Sequence, residues 1–322
     1  MLGAFKIMTN NNIKPIIVGI ESKSLSKKEY LLFKKNLPIG YIIFSRNIEN
    51  INQLKSLIQQ LKSINKRHKA IIMIDHEGGR VNRLNKILNQ DKYTAKYFGD
   101  LYSNNKKQFN TEIKKFVTCN SNIFNYIGVN LVAAPVLDLF YSNKSKIVGD
   151  RSYSSNVKIV KHIGKLIIEE YKKYNIKTIA KHAPGHGLAT VDSHFSLPVV
   201  NHSKSYLFNN DFKTFYQIKS DFLMTAHILY KNVDSKNLAT FSHQIIKKIL
   251  KKKLSFKGLI MTDDICMKAL TGSVMSRANK SLKAGCDLVL HCNGNYDEMN
   301  KLLVGLPTIS PKLFKKINKI FN

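Results

Sequence analysis

A single (β/α)8 barrel spanning residues 1–322 is the fold this sequence predicts, and three observations predict it. Short β-branched apolar runs recur eight times along the chain. Amphipathic stretches lie between them, with no linker or low-complexity break. Charged or imidazole side chains sit at the C-terminal ends of five of the runs, which is the face where barrel enzymes carry their sites. A doubly wound sheet is the competing architecture, but no Gly-x-Gly-x-x-Gly follows the first run.

The strands read in order as PIIVGI from Pro15, GYIIF from Gly40, AIIMID from Ala70, NLVAAPV from Asn130, IKTIA from Ile176, DFLMTA from Asp221, GLIMTD from Gly258 and DLVLHC from Asp287. Each is brief and nearly unalternating, as a parallel strand buried on both faces requires. Between the first two, Ser26 and Glu29 form a capping box that opens a helix. From Ile51, the residues Ile51, Leu54, Leu57, Ile58 and Leu61 fall on one helical face. Further helices are expected near 107–127, 156–174, 205–217, 242–253, 275–285 and 296–304.

The chain carries 52 Lys and Arg against 21 Asp and Glu, a net charge of +31. The lysines are dispersed, without an arginine-rich arm or a nucleic-acid motif, so a solvated basic surface is expected and no specific nucleic-acid partner. The four cysteines (Cys119, Cys266, Cys286, Cys292) show no Cys-x-x-Cys spacing and read as reduced, mostly buried thiols. No apolar run reaches membrane-spanning length, and the N-terminus lacks the pattern of a secretory leader. A cytoplasmic monomer with no membrane insertion is expected.

Asp75 ends the third strand, Lys181 and His182 the fifth, and Asp263 and Asp264 the seventh; His227 follows the sixth and His291 ends the eighth. Any one alone reads as a polar strand cap, but five converging strand ends read as a site. In IDHEGGRVNRL (74–84), a strand-end carboxylate, a Gly78-Gly79 turn and two arginines make either a clamp for sugar oxygens or a salt-bridged turn. In GLIMTDDICM (258–267), adjacent side chains on an extended backbone point opposite ways, so one aspartate faces the site and the other serves the structure.

KHAPGHGLATVDSH (181–194) places three histidines around a Pro-Gly turn. Pro184 and Gly185 rule out the helical i, i+4 geometry of a zinc pair, so neither a metal nor a cofactor is expected. Asp192 and His194 share a side if that segment is extended, where the carboxylate can orient the imidazole and favour its protonated form.

Together these stretches resemble the single-domain β-N-acetylhexosaminidases of glycoside hydrolase family 3, the type that works in peptidoglycan recycling. The resemblance runs in order through FSRN (44–47), IDHEGGRVNRL, APVLDL (134–139), RSYS (151–154), KHAPGHG…DSH, MTAH (224–227), TDDICM and AGCDLVL (284–290). It implies Asp263 as nucleophile, His194 as acid/base and Asp192 as its supporting carboxylate. It also implies that Asp75, Arg83, Arg151, Lys181 and His182 bind the non-reducing N-acetylglucosamine of cell-wall fragments, with His186 shaping the loop. The chain departs from the family pattern at His76, Ala183, Leu188, Ala189 and Thr262, none of them a catalytic position. Retaining hydrolysis is the activity the resemblance implies. A phosphorylase drawing phosphate toward Lys181 and Arg83, a β-glucosidase-like enzyme and an idle muropeptide- or nucleic-acid-binding barrel are the alternatives.

Overall fold

In a computed structural model of the chain, residues 12–64, 69–142, 148–193 and 195–322 are described. Eight parallel strands close on one another: β1 (Ile13–Gly19), β2 (Leu37–Ile43), β3 (Ile71–Ile74), β4 (Leu131–Val132), β5 (Lys177–Ala183), β6 (Phe222–Thr225), β7 (Leu259–Asp264) and β8 (Leu288–His291). β8 pairs back onto β1, with Ile17 opposite Leu290. Each predicted apolar run supplies one barrel strand. A separate two-residue ladder joins Val199–Val200 to Leu229–Tyr230.

Composition explains the strands' lengths. β4 is only two residues long because Pro135, which has no N–H, soon follows; pairing resumes in an isolated bridge from Val136 to Lys181. Inward side chains such as Ile17, Met73, Leu131 and Met261 fill the barrel, and outward ones such as Ile16, Ile72 and Val289 pack under the helices.

The surrounding helices are α1 (Lys27–Lys35), α2 (Ile51–Ser63), α3 (Ala95–Asn104), α4 (Lys106–Ile127), α5 (Val157–Lys173), α6 (Lys204–Asn209), α7 (Val274–Ala284), α8 (Tyr296–Gly305) and α9 (Pro311–Phe321). The Ser26–Glu29 capping box is present, and α2 buries Leu54, Leu57, Ile58 and Leu61 as its spacing requires. The helix expected over 205–217 is instead α6 followed by a tight 3-10 turn at Asp211–Phe215. The helix over Gln244–Lys253 takes the wider π form.

Two helices, α3 and α9, lie outside the predicted set. α9 packs against the start of the strands: Ile317 and Phe321 join the same core as Ile13, Ile17 and Leu37, and the Phe321 and Phe222 rings lie 6.1 Å apart. The Ile309 amide donates to the Ile13 carbonyl at 2.8 Å. That end of the barrel is sealed with hydrocarbon, so the polar strand ends gather at the other.

Candidate active site

A cavity of about 300 Å³ opens at the C-terminal ends of the strands, at the small end of the range for ligand sites and of a size for one sugar ring. Its apolar floor includes Met73, Met224 and Leu290, the last inward layer of the barrel. Asp75, Arg83, Arg151, Lys181, His182, Asp192, Asp263 and Asp264 all border it.

One wall is an ionic cluster. Asp75 follows β3 directly; its Oδ2 accepts from Arg83 Nη2 at 2.8 Å and its Oδ1 from Lys181 Nζ. Lys181 Nζ also lies 2.5 Å from Glu77 Oε1. Arg151 grips Glu77 with two parallel bonds of 2.7 Å and reaches within 3.4 Å of His182 Nε2. Burial alone would push the Asp75 carboxyl up, but Lys181 and Arg83 hold it well below the usual carboxylate range. Burial likewise opposes the charge on Glu77, yet Arg151 and Lys181 bring it down to about 2. Lys181, although buried, keeps its proton because Asp75 and Glu77 face it. The clamp and the salt-bridged turn suggested by residues 74–84 are therefore one object. Its charges are spent on each other, and its remaining lone pairs and N–H groups suit hydroxyl partners.

Glu77 is absent from the sequence-predicted set, as is Asp138. Asp138, fully buried after β4, accepts from His182 Nδ1 at 2.7 Å and from the His186 amide at 2.6 Å, which fixes the His182 ring and the start of the following loop. Burial pushes its carboxyl up, but the His182 and His186 rings and the His186 amide bring it below its ordinary value. A lone acid inside the apolar stretch APVLDL was the available signal. His76 turns behind the wall to Gln90 at 2.7 Å, and Gln90 passes to Asn120 at 2.7 Å.

Asp263 and Asp264 close β7. Asp264 is the structural acceptor expected of one of the pair: its Oδ1 takes the amides of Cys266 and Cys292, each at 3.0 Å. Asp263 is half-buried, within electrostatic reach of His182 and His227. Desolvation pushes its carboxyl up, but those imidazoles, the Asp264 amide and Lys181 bring it below its ordinary value, so it is ionised at neutral pH. Its Oδ1 accepts from the Asp264 amide at 2.8 Å.

Two of the expected strand-end groups do not reach the cavity. His227 spans Thr240 Oγ1 at 2.7 Å and the Asp264 carbonyl at 2.9 Å, which is the strand-cap role. His291 faces Glu298 at 3.0 Å. Neither borders the cavity, because successive side chains at a strand end alternate between inside and outside.

The opening of the loop after β5 is tightly held. Gly185 has φ +138°, and a Cβ there would lie 2.6 Å from Asp211 Cβ, so the turn requires glycine. His186 lines the cavity and lies 3.5 Å from Ser193 Oγ; burial, with His182 beside it, lowers its imidazole to about 4. Leu188 and Ala189 are buried in the core. At Asp192 the chain is not extended: its carbonyl accepts from the amides of Phe195 at 2.9 Å and Ser196 at 3.0 Å, a turn. Asp192 and Ser193 border the cavity, and His194 lies outside the described residues.

Comparison with known proteins bears on the chain's family. Residues 16–317 match the glycosyl hydrolase family 3 N terminal domain. A beta-hexosaminidase of Haemophilus influenzae is 33% identical over 284 residues, which cover 86% of this chain and 79% of that protein. One of Methylobacillus flagellatus is 30% identical over 297 residues, 91% and 84% of the two chains. The crystal structure of NagZ from Neisseria gonorrhoeae in complex with N-trifluoroacetyl-D-glucosamine is similar at a TM-score of 0.86 and 29% identity, over 97% of this chain and 91% of that one. With fold, strand-end chemistry and near full-length sequence match in agreement, the chain belongs to glycosyl hydrolase family 3.

Proposed function

We propose that the chain is a retaining β-N-acetylhexosaminidase that releases terminal β-linked N-acetylglucosamine from cell-wall fragments. The observation that carries this reading is the ionised, half-buried Asp263 on one wall of a ring-sized cavity, opposite the Asp75–Lys181–Arg83 cluster. The relatives' hexosaminidase names support the substrate class.

Asp263 attacks the anomeric carbon while protonated His194 donates to the departing oxygen. The glycosyl ester that forms is then opened by water, His194 now accepting the proton. Retaining enzymes ordinarily use two carboxylates about 5–5.5 Å apart; in this reading an imidazole supported by Asp192 takes the place of one. Asp75, Arg83, Arg151, Lys181 and His182 bind the sugar's hydroxyl and acetamido groups. Since Lys181 and Arg83 are already paired with Asp75 and Glu77, they offer phosphate little attraction, and water is the proposed acceptor. A role in peptidoglycan recycling in the cytoplasm fits four unpaired cysteines. Among the described residues no helix is long and apolar enough to cross a membrane.

The test is an assay on an aryl β-N-acetylglucosaminide beside the matching glucoside, with and without phosphate. Faster release from the N-acetyl substrate, with free β-sugar as the first product in both buffers, is expected. Preference for the glucoside, or a sugar phosphate as main product, overturns the reading.

A further inference from the structure

Outside the cavity's lining, three segments bring together a thiol, an imidazole and a carboxylate. Cys266 lies in the loop after β7, His291 ends β8, and Glu298 stands in the first turn of α8. Their ligand atoms all lie within 4.8 Å of one another. Glu298 Oε2 is 3.0 Å from His291 Nε2 and 3.8 Å from Cys266 Sγ. A tetrahedral zinc ion, at about 2.0 Å from nitrogen and oxygen and about 2.3 Å from sulfur, needs those atoms roughly 3.3–3.6 Å apart. Changes in separation of at most about 1.3 Å convert one arrangement into the other.

We propose that Cys266, His291 and Glu298 form a zinc site with water as the fourth ligand. The donor set is the borderline-soft mixture that zinc takes, and a thiolate with a carboxylate balances the ion's two charges. His291 is fully buried, whereas the Glu298 side chain is 34% exposed, which gives the ion a way in and the water a position. Binding breaks the S–H bond, releases that proton to solvent, forms the sulfur–zinc bond and sheds all but one of the ion's waters. Asn293 Nδ2 donates to Glu298 Oε2 at 2.7 Å, an outer partner that orients the ligand. Asp264 adds to the negative field here, and the Arg46 guanidinium opposes it.

The site bears on Asp263 through one residue. Asp264 Oδ1 holds the amides of both Cys266 and Cys292, so an ion joining the β7 loop, β8 and α8 would lock the frame that carries the two aspartates. The zinc proposal does not depend on the glycosidase reading.

The test titrates the chelator-stripped full chain with Zn²⁺ against a chromophoric competitor, and with Co²⁺ by absorbance. One equivalent of Zn²⁺ and a thiolate-to-cobalt charge-transfer band are expected. Losing an outer partner costs metal sites about 10–100-fold in affinity, so Cys266→Ser and His291→Ala should each cost more than about 100-fold. Cys266→Ser should also abolish the band, whereas Cys292→Ser retains it. Because His291 is a core residue, the part-exposed Glu298→Gln provides a second reading, with weakened zinc binding in a folded protein. Asp192→Asn, in the cavity, should leave zinc affinity unchanged. No bound equivalent, binding indifferent to Cys266→Ser and Glu298→Gln, or binding lost in Asp192→Asn overturns the proposal.

Discussion

On one side of the cavity, Asp75, Glu77, Arg83, Arg151 and Lys181 hold one another through bonds that arise from three different strand ends, with Lys181 and Glu77 almost fully buried. On the other, the segment that carries Asp192 turns back on itself and leaves Val191, Phe195, Leu197 and Val199 exposed, Phe195 by 74%. The first region is over-determined: moving any member breaks a network centred on the buried Lys181 and Glu77. The second buries little, the property of segments that open and close. Under the proposed roles, sugar recognition falls in the fixed region and proton transfer in the lightly packed one, which would separate affinity from turnover and make closure of the loop part of the cycle.

The largest expected effect removes the proposed nucleophile, which faces the fixed cluster across the cavity. Asp263→Asn should fold normally and lose at least about 10⁴-fold in kcat, because an amide cannot form the ester. Asp264→Asn should lose less; if kinetics on the two variants show the reverse, the nucleophile is Asp264. Next comes the loop. His194→Ala should cost about 10²–10⁴-fold on substrates with poor leaving groups and far less on nitrophenyl ones, which depart without a proton. Asp192→Asn should show the same trend more mildly. A uniform loss across leaving groups would assign His194 to binding and dissolve the contrast between the two regions.

Stability measurements sharpen the comparison. Glu77→Gln leaves Lys181 and Arg151 short of a buried counter-charge and should destabilise by about 3–5 kcal/mol, seen as a lower denaturant midpoint. Glu77 is held down to about 2 against an ordinary 4.5. Its contribution is thus complete above 4.5 and lost as pH falls toward 2, and the variant should lack that part of the acid slope. Asp211, buried beneath Gly185 and bonded by Tyr141 at 2.8 Å, runs the other way. Burial is the main cause that raises it to about 7 from 3.8. Its contribution is complete below 3.8 and lost as pH rises through about 7. Asp211→Asn, which mimics the neutral acid, should flatten that loss, by at most about 2 kcal/mol after local relaxation. A decline in melting temperature from pH 3.8 to about 7 as steep in the variant as in the native chain would contradict it.

The barrel is legible in the sequence because strands buried on both faces read as short unbroken apolar runs, and Asp75, Lys181 and Asp263 are legible because they interrupt those runs at one end. What the local pattern lacks is direction. His227 and His291 stand at strand ends like the others but turn away, and Glu77 and Asp138 turn inward from stretches that look like ordinary loop and core. α9 places Leu313, Phe314, Ile317, Ile320 and Phe321 on one face among its lysines, all packed on the core, so the helix itself is legible from its spacing, but not that it seals the barrel. Cys266, His291 and Glu298 come from three segments, so no spacing rule could join them.

The measurement that bears most directly on the central claim is mass mapping of the chain after reaction with a slow, fluorinated N-acetylglucosaminide. The account predicts a single sugar adduct on Asp263, accumulating further in Asp192→Asn, where the loop resolves it slowly. An adduct on Asp264, or substrate turnover giving an α-configured first product with no adduct at any residue, would contradict it.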